Sequence, residues 1–168
     1  MQESSIETAV RGSIETNFSM MLGCTVDIDA VAEPTLSVDH CTSMALGSPD
    51  VDAGLHLLLP ANTARHLVSA MLGDPEPCEE LLRDGLGEVG NLLAGGVKSS
   101  IGDQTGVELI LGLPTVLSGE DLSIAFPREG TVQTFKLLVD GEFAAECTFF
   151  QRVRNNSAAK AKTLEETS

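Results

Sequence analysis

Apolar side chains recur at three- and four-residue steps near the start of the chain, at Ile6, Val10, Ile14, Phe18 and Met21. That period gathers them into one stripe of a helix over residues 5–22, and Ser4-Ser-Ile-Glu7 has the form of a capping box. The period then drops to two. Thr25-Val-Asp-Ile-Asp-Ala-Val31 alternates apolar with polar, as a strand with one wet face does. Pro34 interrupts it. Two more strands follow, Leu36 to Leu46 and Ala53 to Leu59, parted by Gly47-Ser-Pro-Asp50. His56 alternates with Leu55 and Leu57 and reads as a structural histidine.

Pro60-Ala-Asn-Thr63 opens a second helix with Ala64, Leu67, Val68 and Met71 on its inner face, and Gly73-Asp-Pro-Glu-Pro77 stops it. A third helix runs from Glu79 to Ile101, its buried stripe formed by Leu82, Leu86, Val89, Leu93 and Val97. Lys98 reads as a cation of its last turn, favoured by the helix dipole. After a Gly102-to-Gly106 turn, strands are expected over Val107–Leu113, Leu122–Phe126, Thr131–Val139 and Phe143–Gln151. Asp140-Gly141 joins the last two as a type I′ hairpin. From Asn155 the chain turns polar. Residues 1–153 are expected to form one domain and 154–168 a disordered or frayed tail. Helices cluster and strands run in meanders, so the fold class is α+β, a largely antiparallel sheet with long helices packed on it.

Composition narrows the function. At 168 residues and 42% apolar, the chain can bury a core. Its net charge of −15, from 25 acids against 10 bases, argues against nucleic acid and membrane surfaces as partners. With six Phe and no Trp or Tyr there are few platforms for stacking bases. Cys24, Cys41, Cys78 and Cys147 form no Cys-x-x-Cys pair, and His40, His56 and His66 show no ligand spacing, so no metal site is expected in this chain. The polar, acidic start is not a signal peptide, and no apolar run approaches the ~18 residues that span a membrane. The expected location is cytoplasmic, with reduced thiols.

The third helix carries the candidate chemistry. Asp84, Glu88, Asn91 and Gly95 are spaced four, three and four residues apart. At about 100° per residue they fall within about 60° of one another, opposite the leucine stripe. Asn is a weak helix former, and Gly85, Gly87, Gly90, Gly95 and Gly96 each cost roughly 0.5–1 kcal/mol relative to Ala. Such a helix gains from close approach of another surface, either another helix of the same chain or a partner protein. A convex face makes a poor pocket for small-molecule hydrolysis. A neutral amide with donor and acceptor can instead hold a water for in-line attack on a phosphoryl group. A carboxylate one turn away can pair with a partner's lysine.

Asp84-x-x-x-Glu88-x-x-Asn91, continuing Leu-Leu-Ala-Gly95, resembles the D/S-x3-E-x2-N signature of the CheC/CheX/FliY family of chemotaxis phosphatases. Ala64-Arg-His-Leu67-Val-Ser-Ala-Met71-Leu-Gly73 resembles the helix that precedes the motif there, and the element order agrees from about Ile6 to Val153. The resemblance implies hydrolysis of the aspartyl phosphate of a CheY-like response regulator. Asn91 would orient the attacking water, Glu88 would pair with the regulator's lysine, and Asp84 and Gly95 would support docking. Magnesium would sit on the partner, and this chain would need no cofactor of its own. A single motif places the chain closest to CheX, which implies a homodimer. The alternative is a non-catalytic module that docks receiver domains or other signalling proteins.

Overall fold

Three helices lie on one face of a seven-stranded antiparallel sheet in the computed structural model, which describes residues 3–32 and 36–154. The elements are α1 (Glu3–Met21), β1 (Val26–Val31), β2 (Val38–Gly47), β3 (Val51–Leu59), α2 (Ala61–Leu72) and α3 (Glu79–Thr105). Then come β4 (Ile110–Leu111), β5 (Thr115–Leu122), β6 (Thr131–Val139) and β7 (Phe143–Val153). This is the α+β layout the periodicity predicts. The strand order is β1-β6-β7-β3-β2-β4, with β5 also paired to β2.

Registers place apolar residues on one face. Met44 pairs with Leu55 and Leu55 with Phe149, while Leu57 pairs with Cys147 and Cys147 with Phe135. All six are buried, and they meet Ile6, Val10, Ile14 and Phe18 of α1, Leu67 and Val68 of α2, and the whole leucine stripe of α3. Removing each such side chain from water stabilises the fold by roughly 1.5–3 kcal/mol. A smaller cluster, Val38, Cys41 and Leu58, lies on the other face under Leu36, Leu122 and Ile124. Asp140 (φ 50°) and Gly141 (φ 70°) make the tight turn between β6 and β7, as their sequence predicts.

Three expectations are corrected. First, α3 continues to Thr105, and only Gly106 (φ 70°) ends it, through its N–H to the Gly102 carbonyl. The Gly102–Gly106 segment is therefore the last helical turn, and Lys98 lies too far back to meet the helix end. Second, the strand expected over 107–113 shrinks to Ile110–Leu111, the two residues paired with Gly47 and Leu46 of β2, and Pro114, which has no N–H to donate, follows just beyond. Third, the strand lies at Thr115–Leu122 rather than over 122–126, so the two share only Leu122. The apolar alternation over 122–126 arises because Leu122, Ile124 and Phe126 cover the outer face, with Phe126 against His56 at 5.4 Å between ring centres. Three of the six glycines of α3, Gly85, Gly90 and Gly96, serve packing within the chain, one of the two alternatives the sequence left open. The capping box at Ser4 falls on a side chain outside the described ones, and Pro34 and the tail from Asn155 lie outside the described residues.

Candidate functional site

The face of α3 is set by what holds its other side. Leu82, Leu86, Val89, Leu93, Val97 and Ile101 are all buried, which fixes the rotation of the helix. Glycines let it come close on three sides. A Cβ at Gly85 would lie 2.6 Å from Val68 of α2, one at Gly90 2.2 Å from Thr42 of β2, and one at Gly96 2.3 Å from Ser13 of α1. Hydrogen bonds lock two of these crossings. The Thr42 hydroxyl donates to the Leu86 carbonyl (3.2 Å), and the Ser13 hydroxyl to the Leu93 carbonyl (2.9 Å). For these three positions, packing inside the chain accounts for the glycine. Gly95 differs, since a Cβ there would meet nothing within 4 Å, and at Gly87 it would meet Pro114 at an ordinary 3.7 Å.

With the helix so fixed, Asp84 and Glu88 are exposed and Asn91 and Gly95 half-buried, all on the side away from the leucine stripe. Among the described residues, no side chain hydrogen-bonds to or pairs with Glu88 or Asn91. An open groove of about 520 Å³ runs beside Asp84 and Glu88. It is lined by Asp84, Glu88, Arg83 and the small Gly85 and Gly87, with Met71, Leu72, Leu81, Pro114 and Val116 as apolar walls. The groove joins the end of α2, the first turns of α3 and the segment before β5. Only the α3 residues were legible as a site in the sequence. Leu81 belongs to α3 itself, whereas Met71 and Leu72 arrive from α2 and Pro114 and Val116 from around the start of β5, and nothing in the sequence marked these four as walls of a site.

A second constellation escaped the sequence altogether. Cys24, His66 and Asp140 come together from the α1–β1 connection, α2 and the β6–β7 turn, with their ligand atoms all within 4.8 Å of one another. His66 Nε2 lies 2.8 Å from Asp140 Oδ2 and 4.0 Å from Cys24 Sγ. Burial, with the Asp140 carboxylate second, pushes the Cys24 thiol up to about 11. The His66 contact and the Thr25 N–H hold Asp140 down at about 2. Spacings of 42 and 74 residues give such a cluster no sequence pattern.

Fold and α3 face together define an α+β domain that presents Asp84, Glu88 and Asn91 on one face of a core-packed helix, with an open groove beside Asp84 and Glu88. The chain belongs to the chemotaxis phosphatase CheX family, whose model matches residues 44–137. Solved structures share the fold. A CheX from Vibrio vulnificus superimposes with a TM-score of 0.76 at 17% identity, covering 88% of this chain and 99% of that one. A CheC-like superfamily protein from Shewanella sp. PV-4 gives 0.75 at 19%, covering 90% and 99%. The CheX–CheY–BeF3–Mg2+ complex from Borrelia burgdorferi gives 0.71 at 14%, covering 89% and 96%. No curated protein matches the chain significantly. No described helix is long and apolar enough to cross a membrane.

Proposed function

We propose that this chain hydrolyses the aspartyl phosphate of a CheY-like response regulator, completing the regulator's active site with side chains of α3. The observation that carries the reading is the unpaired Glu88 and Asn91, one turn apart on the free face of a helix whose rotation the core fixes. Membership of the CheX family and the capture of a relative with CheY support the choice of partner.

Hydrolysis adds water to phosphorus in line with the leaving aspartyl oxygen, giving phosphate and a free carboxylate. Most of the catalysis is positioning. In this reading the Asn91 carbonyl accepts a hydrogen from the attacking water while its amide N–H groups donate to neighbouring oxygens. Being neutral, Asn91 brings no repulsion to an anionic phosphoryl group. Glu88 pairs with the regulator's lysine and sets the register of docking. Asp84 lines the same groove and supports docking, and Gly95 leaves room beside Asn91. The apolar groove walls meet the partner's surface next to the reacting group. Magnesium belongs to the regulator and neutralises developing phosphoryl charge there. Asp84 and Glu88, exposed on a single convex helix, do not make the multi-oxygen cage a resident cation needs.

The expected homodimer finds support in the exposed apolar side chains Ile110, Leu113 and Leu117 spread along the β4–β5 edge. Sedimentation of the chain checks it, and a monomer at tens of micromolar concentration removes it.

The test is phosphate release from a phosphorylated receiver domain of the same organism. Wild type is expected to accelerate release. Asn91→Ala should lose about 100-fold or more in turnover while still binding the receiver. Glu88→Lys should chiefly raise the receiver concentration needed for half-maximal rate. A wild-type chain that binds receivers without accelerating release makes this a docking module, and full activity in Asn91→Ala removes the water-positioning role.

A further inference from the structure

Away from the α3 face, we infer that Cys24, His66 and Asp140 form a binding site for a zinc ion. One sulfur, one imidazole nitrogen and one carboxylate oxygen converge from three separate segments. That is a donor set zinc accepts, and three protein ligands with a fourth position open to water is a common zinc arrangement. For ligands about 2.0–2.3 Å from a tetrahedral ion, neighbouring ligand atoms lie roughly 3.3–3.7 Å apart. The observed separations, 2.8 Å from Nε2 to Oδ2 and 4.0 Å from Nε2 to Sγ, bracket that range.

The shell around the three side chains aims them. Asp140 Oδ1 accepts from the Thr25 backbone N–H (2.8 Å) and the Thr25 hydroxyl (3.0 Å), leaving Oδ2 toward His66. The Asp140 N–H in turn donates to the Thr25 carbonyl at 3.0 Å, tying the turn to the segment that bears Cys24. The His66 ring is stacked on Phe143, centroids 3.9 Å apart and planes within 10°. Hydrogen bonds and packing of this kind orient metal ligands. Cys24 is only 4% exposed, whereas the His66 and Asp140 side chains are 28% and 35% exposed, so an ion has a path in and room for a water.

The geometry also separates this site from a nucleophilic triad. There, the acid holds one imidazole nitrogen and the thiol meets the other. Here sulfur and carboxylate both approach Nε2, so His66 cannot relay a proton between them, but all three can share one cation. A plain tether of the hairpin to α2 would need only His66 and Asp140. Binding releases the Cys24 thiol proton to solvent and forms a zinc–thiolate bond, clamping the β6–β7 turn and the α1–β1 connection to α2.

The experiment titrates the metal-stripped full chain with Co2+ and then Zn2+. One equivalent of Co2+ should give a thiolate-to-cobalt charge-transfer band with tetrahedral d–d absorption, and zinc should displace it. At free zinc about a hundred times Kd, the melting temperature should rise by about 5–10 °C. Cys24→Ser should abolish the charge-transfer band, His66→Gln and Asp140→Asn should weaken zinc binding at least about tenfold, and Cys78→Ser should leave it intact. Should Cys24→Ser not fold, Asp140→Asn, at the surface, carries the same test. Absence of a thiolate–cobalt band in the wild type overturns the site, as does a band that survives in Asp140→Asn at wild-type affinity or disappears in Cys78→Ser.

Discussion

Replacing Gly90 by alanine tests how α3 is held, because the structure makes a signed prediction against the usual preference. On an unconstrained helix, Gly→Ala stabilises by roughly 0.5–1 kcal/mol. At Gly90 the new methyl would sit 2.2 Å from Thr42 Cγ2 and 3.3 Å from Thr42 Cβ. Thr42 belongs to a central strand and is buried, and its hydroxyl is committed to the Leu86 carbonyl at 3.2 Å. Rotating it away gives up a buried hydrogen bond, about 0.5–1.5 kcal/mol. Leaving it in place forces helix and sheet apart, at the 1–3 kcal/mol typical of overpacking. Set against the helix gain, the net runs from about zero to a loss of about 2 kcal/mol, so Gly90→Ala should not be stabilised and its melting temperature should fall by up to about 8 °C for a chain of this size. Gly95→Ala is the control on the same helix. Nothing lies within 4 Å of its added methyl, so it should raise stability by roughly 0.5–1 kcal/mol. Thermal and urea unfolding followed by far-UV circular dichroism read both. Equal stabilisation in the two variants would refute the packing account of Gly90. Gly90 also neighbours Asn91, so Gly90→Ala should impair receiver dephosphorylation beyond what its stability loss explains.

Asn91→Asp keeps the shape but replaces two donors by a charged acceptor, and should lose about 100-fold or more in phosphate release with little change in melting temperature. Leu86→Ala removes a fully buried side chain beneath the site and should cost about 2–5 kcal/mol by urea unfolding. Burial lowers His40 and His56 below their ordinary 6.5, so the unfolded chain takes up protons that the fold resists. Their contribution to stability is full above about pH 6.5 and is lost as pH falls below it, and the His40→Gln/His56→Leu double variant should show a shallower decline in melting temperature between about pH 7 and pH 5.5. A decline as steep as wild type's would assign the slope to other groups.

The sequence by itself determined what depends on near neighbours in the chain. Helical period placed Leu82, Leu86, Val89, Leu93 and Val97 inward, and the same period put Asp84, Glu88 and Asn91 on the opposite side, because neighbours on a helix face are three or four residues apart. Alternation found the strand Thr131–Val139 to the residue, and Asp140-Gly141 announced its turn. Tertiary structure decided what depends on distant segments meeting. Gly85, Gly90 and Gly96 carry no mark that separates them from Gly95, and the difference lies in Val68, Thr42 and Ser13 arriving from α2, β2 and α1. The apolar alternation of Leu122, Ile124 and Phe126 looks like a strand, yet it covers the back of the sheet, since apolar period records burial and not hydrogen-bond pairing. Cys24, His66 and Asp140 are unrelated in sequence and become neighbours only when the β6–β7 turn closes against α2. Local period is set by backbone geometry, whereas a long-range contact exists only once the sheet register and helix crossings are fixed.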